Sequence, residues 1–158
     1  MDKLTELLEG FEIAKFLPKL DTFWGTVETL IRIFVMAGPL ILLGLGLWYF
    51  FSPPKEANHR AGFRTLWGMG SVEAWLFSQK VAGIAFTVTG FVLTVVMALI
   101  CNGYRDMEPV DAIQSAGVCL LWQAGIVLVV CLSCHLVPLI LFDWKGVRRS
   151  EKRKNRER

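Results

Sequence analysis

The chain has 158 residues with 54% hydrophobic residues, six Trp and a mean hydropathy of +0.48. These values are high for a soluble protein of this length, so they favour one integral membrane domain over a soluble one. The net charge of +3 excludes little as a total, and the four Cys lie mostly inside apolar runs, which argues against a secreted disulfide framework.

The N-terminal part of the chain, residues 1–28, is predicted to form an amphipathic segment. Apolar side chains recur at helical spacing within residues 2–17, with charged side chains on the opposite side, until Pro18 interrupts the pattern. Two placements remain open: the segment lies on the outer surface of a membrane, or it packs against the other helices. The apolar positions are Leu4, Leu7, Leu8, Phe11 and Ala14.

Three apolar runs are long enough to cross a bilayer, which requires about 20 residues. They cover roughly residues 30–51, 81–101 and 116–142. The second helix is expected to begin ahead of its apolar run, because Ser71 is a suitable N-cap and Glu73 follows in the first turn. The predicted fold class is therefore all-α: an integral membrane bundle of three transmembrane helices with an N-terminal amphipathic helix.

Glycines within these runs offer small faces for close helix packing, although none forms a clean G-x-x-x-G pair. Three helices bury little protein surface between them, which leaves homo-oligomerisation open, and the sequence does not decide the oligomeric state. The glycines are Gly38, Gly44, Gly46, Gly83, Gly90 and Gly125.

Basic residues in the loops predict the orientation of the bundle. Residues 52–80 carry four Lys or Arg, whereas residues 102–115 carry one against three acidic residues. The basic tail, residues 145–158, carries eight Lys or Arg against two Glu. The multi-pass domain of residues 29–144 is therefore expected to place the N-terminus outside and the C-terminus in the cytoplasm.

The basic tail beside a membrane span indicates contact with the anionic lipid headgroups of the cytoplasmic leaflet. Nucleic acid is the competing partner for such a tail, but no folded nucleic-acid reader accompanies it, so we expect none. Membrane lipids are thus the predicted partners of this segment.

The third run contains the C-x-x-C-H pattern of covalent haem c attachment, from Cys131 to His135. The pattern lies inside an apolar span rather than in an exposed segment, and one helix does not supply the four ligands of a zinc site. We therefore expect no haem, no metal and no other cofactor. Two interpretations of His135 stay open: it hydrogen-bonds within the bundle, or it acts as a ligand or proton carrier inside the membrane.

The loop between the first two runs concentrates polar residues in the pattern N-x-x-x-G-x-R-T. Gly62 permits a tight turn or the close approach of a partner, and Arg64 offers planar donors suited to carboxylate or phosphate. Asn58 and Thr65 can hold the loop through backbone groups, and Trp75 is expected to anchor the next helix at the membrane interface. The candidate loop residues are Asn58, His59, Arg60, Gly62, Arg64, Thr65 and Trp75.

This pattern resembles the SdpI family of bacterial membrane proteins, whose named member gives immunity to a secreted peptide toxin. The resemblance covers mainly residues 53–100, through Asn58, the run from Gly62 to Thr65, and Trp75. The sequence departs from the family pattern at three places: Ala57 stands where a Pro often precedes the Asn, Phe63 replaces a usual Tyr, and Gln79-Lys80 replaces an Asn-Arg-like pair.

The resemblance implies immunity against, or sensing of, a membrane-active peptide toxin in the bacterial plasma membrane, with signal relay to a cytoplasmic regulator. The alternative function is a binding or transport module for an anionic small molecule or lipid, which His59, Arg60 and Arg64 would hold. We expect no enzyme and no catalytic residues, since the sequence shows no nucleophile–base pair, no usefully spaced carboxylates and no phosphate-binding glycine loop.

Overall fold

The computed structural model describes residues 13–55 and 62–150. Their helices are α1 (Ile13–Phe51), α2 (Val72–Gly103) and α3 (Pro109–Leu141), with short 3-10 helices at Gly68–Gly70 and Tyr104–Asp106. Within the described ranges the chain is helical without strands, which confirms the all-α class.

Some predicted features lie outside the described residues. They include most of the N-terminal amphipathic segment, the loop residues Asn58, His59 and Arg60, and the tail beyond residue 150. From Ile13 onwards the backbone is already helical, and α1 continues through Pro18 into the first apolar run.

The three helices are each long and apolar enough to cross a membrane, over Phe23–Phe51, Val72–Asp106 and Pro109–Leu141. This confirms the three predicted transmembrane helices. The end of the bundle that carries residues 52–71 and 142–150 is called the loop end below. The opposite end, where Tyr104–Asp106 joins α2 to α3, is called the hairpin end.

The start of α2 is fixed by the predicted N-cap. Ser71 has an extended backbone, and its Oγ accepts a hydrogen bond from the Ala74 N–H at 3.1 Å, with Glu73 in the first turn. The cap satisfies a backbone donor that has no partner within the helix, and the carboxylate complements the helix dipole. The helix therefore starts well before its most apolar stretch.

Three of the six predicted glycines bring α1 and α2 into direct backbone contact, whereas a Cβ on Gly44 or Gly125 would meet no neighbour within 4 Å among the described residues. A Cβ on Gly46 would lie 2.3 Å from the Thr87 nitrogen, and a Cβ on Gly90 would lie 2.5 Å from the Leu43 nitrogen. A Cβ on Gly83 would lie 2.8 Å from the Phe50 nitrogen. Apolar burial does not drive helix association in lipid, where close van der Waals packing at small residues stabilises it instead. On this basis α1 and α2 are the tightly packed pair of the bundle.

The buried seam between α1 and α2 follows a seven-residue spacing. On α1 the buried side chains are Val35, Leu42 and Tyr49, and on α2 Phe86 and Leu93 face them at the same interval. Many other large apolar side chains of the three helices are exposed. The outer surface is therefore as apolar as the seam, as expected for helices that contact lipid.

A polar contact attaches α3 to this pair. Pro39 has no N–H, so the Val35 carbonyl loses its usual partner one turn along α1. The buried Gln123 of α3 supplies the missing donor, since its Nε2 lies 3.0 Å from the Val35 oxygen. A Cβ on Gly38 would lie 2.9 Å from Gln123 Oε1, so the glycine makes room for the amide. This contact sets the register of α3 against α1.

Candidate functional site

The described part of the polar loop folds back onto the first turns of α2. Gly62 has a φ of +114°, a backbone angle that residues other than glycine rarely adopt. A Cβ at this position would also lie 2.6 Å from the Trp75 ring. Glycine is therefore required twice, for its backbone conformation and for the space that the indole fills.

Gln79 of α2 holds the backbone of the loop. Its Oε1 accepts from the Phe63 N–H and its Nε2 donates to the Phe63 carbonyl, both at 2.8 Å. The side-chain amide thus pairs both backbone groups of Phe63, as a neighbouring strand would. Gln79 is completely buried, so its side-chain amide cannot hydrogen-bond to water. The pairing with Phe63 provides a partner for both its donor and its acceptor.

Sequence reasoning treated Gln79 only as a departure from a family pattern and did not place it in the site. Its spacing of four residues from Trp75 is the signal that could have found it, because these positions share one face of a helix. Ser78, three residues after Trp75, was missed for the same reason.

Thr65 begins a directed chain of hydroxyl contacts. The Gly68 N–H donates to Thr65 Oγ1 at 2.9 Å, and Ser78 Oγ donates to the Ala74 carbonyl at 2.8 Å. A hydroxyl has one proton to donate, and Ser78 donates its proton to the Ala74 carbonyl. In the 3.2 Å contact between the two hydroxyls, Thr65 is therefore the donor and Ser78 the acceptor. Both side chains are buried, and the loop is held by backbone contacts of Thr65, as the sequence predicted.

Trp75 of α2 contacts the start of the loop that follows α1. Its Nε1 donates to the Pro54 carbonyl at 2.7 Å, and the ring packs beneath Gly62. The side chain is completely buried. An interfacial anchor would place its indole among the lipid headgroups, whereas the indole of Trp75 is enclosed by the protein. The anchoring role expected from the sequence is therefore wrong, because the loop closes over the ring and makes Trp75 a core residue.

His135 of α3 lies at the same end of the bundle. Its ring centroid is 6.5 Å from that of Trp67, at an interplanar angle of 83°. Because Trp67 belongs to the loop between α1 and α2, the structure brings the in-membrane candidate to that loop. Among the described residues no group of three or more His, Cys, Asp or Glu is arranged to hold a metal ion.

The turn after α3 closes this end of the bundle. Asp143 Oδ1 accepts from the Val147 N–H at 3.1 Å, and Gly146 has a φ of +71°. The Gly146 carbonyl accepts from Ser71 Oγ at 2.7 Å, while Arg148 Nε lies 2.6 Å from Glu73 Oε1. The N-cap of α2 is therefore also the docking point for the C-terminal turn.

Together, the loop of residues 62–71, the first turns of α2 and the turn of residues 142–148 form one compact unit, here called the loop-end cap. Its buried polar groups hydrogen-bond to one another. Arg64 is exposed at the surface of the cap. An exposed guanidinium on a rigid base is suited to recognising a carboxylate or phosphate on a partner.

A second polar feature lies near the hairpin end. Arg32 of α1 forms an ion pair with Glu28 one turn earlier, and it lies near Cys101 at the end of α2. The Arg32 Nε is buried without a hydrogen-bond partner among the described residues. Charged side chains within a span are expensive to keep there, so this pair is a functional candidate.

Comparison with known proteins identifies a family match. The family model described as the SdpI/YfhL protein family matches residues 55–141, which is more than half of the chain and includes the polar loop, α2 and α3. No curated protein matches the chain. No solved structure matches it.

Proposed function

The chain belongs to the SdpI/YfhL protein family, and we propose that it protects its cell from, or senses, a membrane-active peptide toxin and relays that contact to a cytoplasmic partner. The observation that supports this function is the loop-end cap, which is built directly on α2. The same helix is locked to α1 by backbone contacts at Gly83 and Gly90.

This construction provides a physical route between the two ends of the bundle. Gly83 lies one turn after Gln79, so the α1–α2 contact begins beside the residue that holds the loop. Close-packed helices do not deform gradually, and a shift of α1 at the hairpin end would move the base of the cap. A peptide produces such a shift only if it binds one packing more tightly than the other.

The partner-contacting groups are proposed to lie at opposite ends. The ion pair of Glu28 and Arg32 lies near the hairpin end, which the loop charges predict to face outwards, and a peptide that enters the membrane there would meet it. Arg64 on the cap would meet an acidic surface of the cytoplasmic partner.

The test is resistance of cells that express the full chain, challenged with a panel of membrane-active peptides. Arg64→Ala is expected to reduce protection or relay at least about tenfold, as for one charge-assisted contact, with the protein still present in the membrane. Arg105→Ala is the matched control, because Arg105 is an exposed arginine at the hairpin end. Unchanged resistance and relay with Arg64→Ala would contradict the proposed role of the cap.

A further inference from the structure

A cavity of about 160 Å³ lies beside the loop-end cap, between α2 and the end of α3. The chain turns back after α3 so that Phe142 pairs with Arg148 in an isolated antiparallel bridge, which brings two arginines to the cavity. Apolar side chains of α2 and the end of α3, among them Phe77 and Ile140, line the cavity together with Arg148, Arg149 and Ser150.

Both arginines are held in place through their Nε atoms. Arg149 Nε donates to the Phe142 carbonyl at 3.2 Å, and Arg148 Nε pairs with Glu73 at 2.6 Å. The Arg148 guanidinium also lies 5.8 Å from the centre of the Phe142 ring. Within the described part of the chain, no hydrogen bond or ion pair involves the Nη1 and Nη2 atoms of Arg148 and Arg149. These atoms can therefore donate hydrogen bonds to an anion.

The charge at the cavity is positive on balance. Glu73 compensates Arg148, whereas Arg149 has only the neutral Phe142 carbonyl as its partner among the described residues. Asp143 and Lys145 carry opposite charges in the same turn, and neither lines the cavity. Arg149 is therefore the lining charge that an anion in the cavity would neutralise.

The position of the cavity indicates what kind of anion it accepts. Ile140, in the last turn of α3, is 66% exposed on the apolar outer surface and also lines the cavity. The cavity thus opens where a membrane-spanning surface gives way to a basic segment. At that depth the phosphate of a phospholipid lies directly beside its acyl chains. A soluble phosphate-bearing molecule would use the arginines but leave the apolar side unoccupied.

We infer that this cavity binds the phosphodiester headgroup of an anionic phospholipid. Arg149, Arg148 and the Ser150 hydroxyl supply donors for the phosphate, and Phe77 and Ile140 contact the adjoining acyl chain. Because Arg148 also pairs with Glu73 in the first turn of α2, a bound lipid would reinforce the turn that closes the loop-end cap. Lipid binding here requires neither a peptide toxin nor a cytoplasmic partner.

The experiment is native mass spectrometry of the full chain in detergent, with phosphatidylglycerol or phosphatidylcholine added at equal concentration. We expect selective retention of phosphatidylglycerol, reduced about tenfold by Arg149→Gln, as for loss of a charge-assisted contact. Arg149→Lys keeps the charge but loses the planar fork and is expected to retain an intermediate amount. Lys145→Gln is the matched control and should behave as the wild type.

Three outcomes would overturn the inference. The first is equal retention of the two lipids by the wild type. The second is equal loss of phosphatidylglycerol with Lys145→Gln and Arg149→Gln, which would indicate general attraction to a basic segment rather than a site. The third is displacement of the lipid by millimolar inorganic phosphate or glycerol phosphate, which would identify a soluble anion as the ligand. A thermal unfolding scan in mixed micelles of detergent and phosphatidylcholine checks that Arg149→Gln folds as the wild type does.

Discussion

Replacing Gln79 with Leu tests whether the loop-end cap depends on a single side-chain amide. The substitution keeps the side chain buried and close to its original size, but it removes both 2.8 Å hydrogen bonds to Phe63. Each bond contributes about 1 kcal/mol net, and a buried backbone group left without a partner costs about 1–3 kcal/mol. Phe63 is only half-buried, so water compensates in part, and we expect a total loss of about 2–4 kcal/mol.

The loss is measured from the free energy of unfolding in mixed detergent micelles, followed by tryptophan fluorescence, because Trp75 lies beneath the loop. Gln114→Leu is the control, since Gln114 is an exposed glutamine on α3. Gln79→Glu would place a completely buried carboxylate against the Phe63 carbonyl, so at neutral pH its loss should be at least as large as that of Gln79→Leu. A loss for Gln79→Leu no larger than that for Gln114→Leu would refute the assigned role of the amide.

Two further substitutions test the backbone contacts of the bundle by the same unfolding measurement. Gly62→Ala is expected to lose about 1–3 kcal/mol from backbone strain alone, with an added loss because its methyl group would meet the Trp75 ring; stability equal to the wild type would contradict the positive φ. Gln123→Leu removes the donor that replaces the Pro39 N–H at the Val35 carbonyl, and we expect a loss of about 1 kcal/mol. Unfolding that is unchanged by Gln123→Leu would show that α3 is placed by apolar packing alone.

The cap and the lipid cavity share one structural element, the turn after α3. Its Gly146 carbonyl contacts Ser71, and its Arg148 contacts Glu73, so the turn bridges α3 and the start of α2. Arg149 lies just beyond this bridge and faces the cavity. Lipid composition is therefore expected to influence the stability of the cap even in cells without a peptide toxin.

Local sequence signals predicted several features of the loop end correctly. Ser71 and Glu73 marked the start of α2, since N-capping involves residues only a few positions apart. Thr65 was predicted to hold the loop and does so. The predicted site residues Asn58, His59 and Arg60 lie outside the described residues, so the function of the complete loop stays a prediction.

Long-range contacts could not be predicted in this way. Gln79 meets Phe63 across 16 residues, and Gln123 meets Val35 across 88. A glutamine inside an apolar run indicates that some partner must exist, because an unpaired amide is costly there. It does not indicate which carbonyl lacks a donor. Pro39 indicates that the Val35 carbonyl lacks its helical donor. Nothing in the sequence indicates that Gln123, 88 residues away on α3, provides the replacement.

By itself the sequence determined that this is a three-span membrane protein of its family, because span length and apolarity follow directly from the thickness of the bilayer. Only the tertiary structure decided which faces of the helices meet. In lipid the outer surface is as apolar as the seam, so hydropathy does not distinguish Leu42, which is buried, from Ile41, which is 62% exposed. The tertiary structure alone also brought Arg148 and Arg149 back to the end of α3, since a turn of a few residues decides where those charges lie.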